Sequence, residues 1–175
     1  MVRINRRIIV FIMFLFIIAF VFSQEKQADP VEKLREEILS IYQSKGEQGL
    51  RDFFKKRKNQ ITNKFIVDFA KAGAITVREE WLKVCEIMAE EKKNALILAD
   101  VLVQKSEYLR LISNFKEAFD NLDNKILPIY LKFNDPGGQG MVYLEKGYVY
   151  FDINEMIKSL EMVNKAMHFF EKTGD

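Results

Sequence analysis

The chain has 175 residues, a formal charge of +2 and a single cysteine, Cys85. That length suits one modest domain, and 13% aromatic residues with only three prolines exclude a disordered composition. One cysteine excludes an internal disulfide framework and a cysteine-based zinc cage. Removing Arg3, Arg6 and Arg7, which sit in an N-terminal stretch with no acid, takes +2 to −1 and leaves no electrostatic case for a nucleic-acid partner.

Residues 1–23 read as a basic head followed by the apolar run Ile8 to Phe22. About fifteen apolar residues fall in the range of an export signal and are short for a spanning helix. Val21-Phe22-Ser23 before Gln24 supplies a plausible cut, so the stretch is an export signal cleaved near Ser23, with an uncleaved anchor as the alternative. Either reading places the body outside the cytoplasm, periplasmic or secreted, and limits membrane contact to this segment. No cysteine near the cut offers a site for lipid attachment. Residues 24–29 form a polar linker, and the body runs over 30–175.

The body is read as all-α. Asp29-Pro30-Val31-Glu32 starts a helix with Asp as cap, Pro at the first helical place and Glu three after the cap. Leu34, Ile38, Ile41 and Tyr42 give it an apolar stripe, and Gly46 is expected to end it. A short helix with Leu50, Phe53 and Phe54 inward closes on Lys55-Lys56-Arg57-Lys58, cations that the helix dipole favours there. That run is read as a solvated helix end, and secondarily as a contact for anionic lipid or an acidic partner. A third helix, Ile61 to Ala72, stops at Gly73, and Thr76-Val77-Arg78-Glu79 reads as a capping box for the next, which carries Trp81, Cys85, Met88 and Ala89 on one side. Asn94 to Ile112 pairs with Phe115 to Phe133, capped by Asn114 with Glu117 and bent at Pro128. Asn134-Asp135-Pro136-Gly137-Gly138 is read as the connection to a last hairpin, Gly140 to Phe170. There Asp152 or Asn154 is expected to cap the second helix.

Within that hairpin Tyr143, Gly147 and Tyr150 share one helical face, and Ser159, Val163 and Ala166 follow on its partner. The small residue at 147 lets the two helices approach closely. The register resembles the tetratricopeptide repeat, although Ser159 and Lys146 stand where that family favours Ala and Leu. It returns one hairpin earlier at Leu102, Ser106 and Leu109, then Phe115, Ala118 and Leu122, with Lys125 in place of Ala. Ala118 and Ser159 lie 41 positions apart, longer than the usual repeat of about 34. Extended repeats of this kind occur ahead of bacterial caspase-like protease domains, and the chain is similar to those. The resemblance implies a stack of about four helix pairs after the N-terminal segment, each sheltering its neighbour's apolar face.

It also implies a binding groove lined by the first helix of each pair, for a protein or peptide partner. Carried over position by position, the groove residues are Asp100, Val103, Glu107 and Arg110 in one repeat. In the next they are Met141, Leu144, Tyr148 and Phe151. The second set is apolar and aromatic, a composition suited to partner contact. On 155–172 only Lys158, Glu161, Lys165, His168 and Lys172 form a polar stripe, so the apolar sector is wider than one partner helix covers and is expected to meet another copy or further repeats.

Little points to catalysis, and the chain is read as a non-catalytic scaffold without metal or cofactor. Its alternatives are the regulatory front part of a larger repeat–protease protein and a carrier of an apolar ligand. His168 falls on the polar stripe, Cys85 on an apolar face of a different hairpin, and Gly137-Gly138-Gln139-Gly140 lacks the Lys-Ser or Lys-Thr of a phosphate loop. Glu90-Glu91 sits beside Lys92-Lys93 and offers no metal cage.

Overall fold

A computed structural model describes residues 29–174. The stretch expected to be an export signal and the linker as far as Ala28 lie outside the described residues. By its internal contacts the chain divides between Glu37 and Ile38. Every regular element among the described residues is helical: α1 (Pro30–Arg57), α2 (Asn63–Ile75), α3 (Glu79–Lys92), α4 (Ala95–Leu111), α5 (Phe115–Asp120), a π segment (Asn121–Ile126), α6 (Leu127–Lys132), α7 (Pro136–Asp152) and α8 (Met156–Glu171). None of these helices is long and apolar enough to cross a membrane.

The first unit holds the described start of α1, where the Asp29 carboxylate accepts the Val31 amide at 3.0 Å and caps the helix as its sequence requires. In the second unit, the break expected at Gly46 is one residue wide. Gly46 takes φ 64°, ψ −163° with helix on both sides, a backbone region open essentially to glycine alone. Beyond it Leu50 and Phe54 are buried as expected, and Arg57 lies over the Phe53 ring.

The remaining helices pack in a regular order. α2 lies against both α3 and α4, α4 against the π segment and α7, and α7 against α8. Phe69 on α2 meets Trp81 on α3 edge-on at 5.1 Å. Thr62 caps α2 by accepting the Phe65 amide, and Asn94 caps α4 by accepting those of Leu96 and Ile97. Ala99, Val103, Leu122, Ile126, Tyr130 and Val142 form one buried cluster that joins α4, the π segment, α6 and α7. Fully burying a side chain such as Phe69 or Leu122 is worth about 1.5–3 kcal/mol.

Five connections share one device. Val77, Lys93, Ser113, Asn134 and Asn154 each take a left-handed conformation, with φ between 51° and 62°. At four of them the following amide reaches back to the last helical turn: Arg78 to Gly73, Asn114 to Leu109, Asp135 to Tyr130 and Glu155 to Tyr150, at 2.7–2.9 Å. This satisfies carbonyls that a helix end leaves open.

Several boundaries correct the sequence reading. Gly73 lies inside α2, which runs on to Ile75, and a Cβ there would meet Trp81 Cβ at 2.9 Å: glycine marks close approach, not a stop. Thr76 forms no capping box. Its hydroxyl donates back to the Ala72 carbonyl, and Arg78 caps α3 without a side-chain bond. Asn114 donates to Glu117 and makes no cap bond to the α5 backbone. A π segment lies just before Pro128, where a bend is expected. The wider turn shifts the carbonyl against which the ring would otherwise press. The expected connection 134–138 shortens, because Asp135 accepts the Gly138 amide and caps α7 from Pro136 onward.

The α7–α8 hairpin confirms the close approach at Gly147. A Cβ there would meet Val163 Cγ2 at 3.0 Å, and the Ser159 hydroxyl donates to the Gly147 carbonyl at 2.9 Å. The helices run antiparallel, with Gly140 against Phe170 and Tyr143 stacked on Phe169 at 5.4 Å. Neither Asp152 nor Asn154 caps α8. Asp152 ends α7 and faces α4, while Asn154 supplies the left-handed turn.

Candidate binding face along the α4–α7 seam

Asn94 fixes where α4 starts and Asp135 where α7 starts, so the caps set the register of both helices. They run in the same direction. Asp135 approaches Asp100, Glu145 approaches Glu107, and Asp152 holds Arg110, in ascending order on both chains of residues.

The structure divides the expected groove residues. Val103 is only 3% exposed and belongs to the core cluster, so it faces inward. Asp100 is half-buried and accepts the Tyr130 hydroxyl at 2.6 Å. Burial is the main cause that raises its carboxyl pKa, the Tyr130 hydrogen bond opposes it, and Asp135 adds to it. Tyr130, also desolvated and facing that carboxylate, has its hydroxyl pushed above the usual phenol range. On α7, Tyr148 is 44% exposed and Phe151 55%, with Met141 also exposed and Leu144 partly covered. These four lie three to four residues apart and share one side of the helix.

Arg110 is the hub of the seam. Its Nη1 donates to Asp152 Oδ2 at 2.8 Å, and its guanidinium lies 5.5 Å from the Tyr148 ring centroid. Its Nε reaches no hydrogen-bond acceptor, and 4.0 Å away Glu145 Oε2 has no donor. Glu145 is 7% exposed. Burial, then repulsion from Glu107, push its carboxyl up to about 7 against the partial counterweight of Arg110. The register therefore brings together Glu107, Arg110 and Tyr148 as expected, and adds Glu145 and Asp152, which it did not assign to the groove. Glu145 is the single acid between Met141 and Phe151. A charged pair, Glu145-Lys146, in a run otherwise without charge was the available signal.

Outside the seam the chemistry-bearing residues are occupied or dispersed. Cys85 is fully buried and His168 exposed, on different hairpins. Glu90 and Glu91 do not answer to the adjacent lysines: they hold Arg51 at 2.6 and 2.9 Å, with Glu47 as its third carboxylate. Lys55, Lys56 and Lys58 project into solvent. Among the described residues no group of three or more His, Cys, Asp or Glu side chains is placed to hold a metal ion. Comparisons with protein-family models, curated proteins and solved structures give no match for the chain.

Proposed function

We propose that the chain is an exported, non-catalytic scaffold of tetratricopeptide-like helical pairs that binds a protein or peptide segment along the α4–α7 seam. The observation that carries this reading is the exposed row Met141, Tyr148 and Phe151 on α7, continuous with Arg110 of α4. Large aromatics left in solvent beside a rigid charged hub are the kind of surface on which partner contacts concentrate their energy. The packing of α2 on α4 and α4 on α7, and the repeated left-handed turns, support a stacked-pair architecture in which such a seam recurs. Export rests on the basic and apolar pattern of residues 1–23. The test is affinity capture from the native source with the wild-type protein and with Tyr148→Ala plus Phe151→Ala. Loss of a specific partner in the double variant supports the reading, and unchanged capture removes this face from it.

A second reading concerns α8. Ile157 is 78% exposed and Leu160 62%, and Met156 and Met167 lie beside them. This surface suits self-association. Sedimentation of wild type against Ile157→Lys plus Leu160→Lys tests it. A wild-type protein that stays monomeric across micromolar concentrations counts against it.

A further inference from the structure

The exposed apolar rows of α7 and α8 are one surface. Gly140 against Phe170 and Gly147 against Val163 mark the line along which the two antiparallel helices touch. On one side of that line Tyr143 stacks on Phe169, and Lys158 and Lys165 lie over the Tyr150 and Tyr143 rings. At about 100° per residue, the other side of α7 carries Leu144, Tyr148 and Phe151, and the other side of α8 carries Met156, Leu160 and Met167. The pairing of Gly147 with Val163 brings Phe151 to the level of Leu160 and Leu144 to that of Met167. The α7 row that faces the seam therefore runs on without a break into the apolar flank of α8.

Tyr148, Phe151, Met156, Ile157, Leu160 and Met167 are each 44–78% exposed. Together they leave about three and a half large side chains in solvent, on the order of 700 Å² at about 200 Å² each. The largest apolar patch of a typical monomer covers about 300–600 Å², whereas a stable contact takes about 800 Å² from each partner. Met141 and Ile153, exposed at the edges, add to the face. A lipid surface does not suit it: Lys158 and Lys165 lie on the far side over the tyrosine rings, and exposed Glu171 and Asp152 stand on its borders.

We infer that a second copy of this chain covers the face, each α7–α8 hairpin packing on the other about a two-fold axis, and that the dimer so formed shuts the partner seam by burying Tyr148 and Phe151. A patch that meets its own image closes after two copies and leaves no free end. This rests on the self-association reading of α8 and on the seam reading, and adds that the two exclude each other. The monomer is then the binding form and the dimer the closed form. Concentration favours the dimer, and a partner that takes only the monomer draws the equilibrium back.

The test is sedimentation equilibrium of the full chain, with residues 1–28 common to every protein compared and circular dichroism confirming that each is folded. The proteins are wild type, Ile157→Lys plus Leu160→Lys on α8, Phe151→Lys and Phe151→Leu on α7, and Lys165→Glu on the far side. The expected result is a wild-type dimer whose Kd rises at least tenfold in the α8 variant and in Phe151→Lys. Phe151→Leu, which keeps the face apolar, and Lys165→Glu should stay within threefold of wild type. A dimer weakened by the α8 variant but not by Phe151→Lys overturns the inference, because the seam then stays open, and leaves the self-association of α8 standing. So does growth beyond the dimer, which a two-fold contact forbids. A wild type that stays monomeric, or associates in a way that the α8 variant does not alter, ends the self-association reading and this inference with it.

Discussion

Replacing Glu145 by Gln removes one charge from the seam while keeping shape and hydrogen-bonding capacity. In the folded protein burial and the neighbouring Glu107 hold the Glu145 carboxyl up to about 7, against an ordinary 4.5. The folded state therefore binds this proton more tightly than the unfolded chain does. Below about pH 4.5 both states are protonated and the group costs nothing. As pH rises from 4.5 to 7 the unfolded chain loses the proton first, so stability falls, and above 7 the full difference applies. Each pKa unit is worth 1.36 kcal/mol, so the gap amounts to about 3 kcal/mol. Glu145→Gln has no such proton and is expected to exceed wild type by up to about 3 kcal/mol at pH 8.5. For a chain of this size that is a gain of about 6–12 °C in Tm, and the advantage should close towards pH 4.5. Thermal unfolding followed by circular dichroism at several pH values measures it, because titrating groups away from the seam are common to both proteins and cancel in the difference. A stability difference independent of pH, or a wild type as stable as the variant at pH 8.5, would refute the placement of a strained carboxylate in the seam.

Four further substitutions probe the backbone. Val77 sits at φ 55° and is half-exposed. A left-handed conformation costs an L-residue about 1–2 kcal/mol, part of which glycine's extra freedom in the unfolded chain offsets, so Val77→Gly should stabilise by about 1 kcal/mol in denaturant titration. Gly46 has empty space around its Cα but a backbone region closed to side chains; Gly46→Ala should cost about 1–3 kcal/mol, and a neutral result would mean the break can rearrange. Gly138 and Gly140 lie two residues apart on α7 yet should behave differently. A methyl at 138 enters the ring of Tyr130, which is fully buried and held by Asp100, whereas at 140 it meets the end of the Phe170 ring at 2.6 Å on a partly exposed side chain that can turn away. Chemical denaturation should show Gly138→Ala losing about 1–3 kcal/mol and Gly140→Ala staying within about 1 kcal/mol of wild type, as helix propensity offsets the displaced ring.

The helical pairs were legible where a cap precedes an inward stripe, as at Asp29 before Pro30 and Asn94 before Leu96 and Ile97, and where spacing sets Gly147 four after Tyr143. The ends were less so, for a reason that glycine itself supplies. Glycine serves both positive-φ breaks, as at Gly46, and close helix contacts, and inside the later helices this chain spends it on the second. Gly73, Gly138 and Gly140 sit inside helices against Trp81, Tyr130 and Phe170, so reading Gly73 as a stop shortened α2, and placing Gly138 in a connection delayed α7. The turns went instead to Val77, Lys93, Ser113, Asn134 and Asn154, and only the two asparagines hint at that conformation.

The seam divides in the same way. Arg110, Tyr148 and Phe151 follow from repeat spacing, since spacing locates a face. Val103 shares that spacing yet turns into the core, because where one helix lies flush on the next, the edge of a face becomes interior. The same geometry buries Glu145, which spacing alone assigns to packing, where an apolar side chain would be expected. A carboxylate there lowers stability at neutral pH by an amount a neutral isostere would recover, so packing does not explain it. Arg110 answers Asp152 at 2.8 Å but stays 4.0 Å from Glu145, so the register that joins α4 to α7 leaves this acid with an incomplete ion pair, and that shortfall is what Glu145→Gln removes.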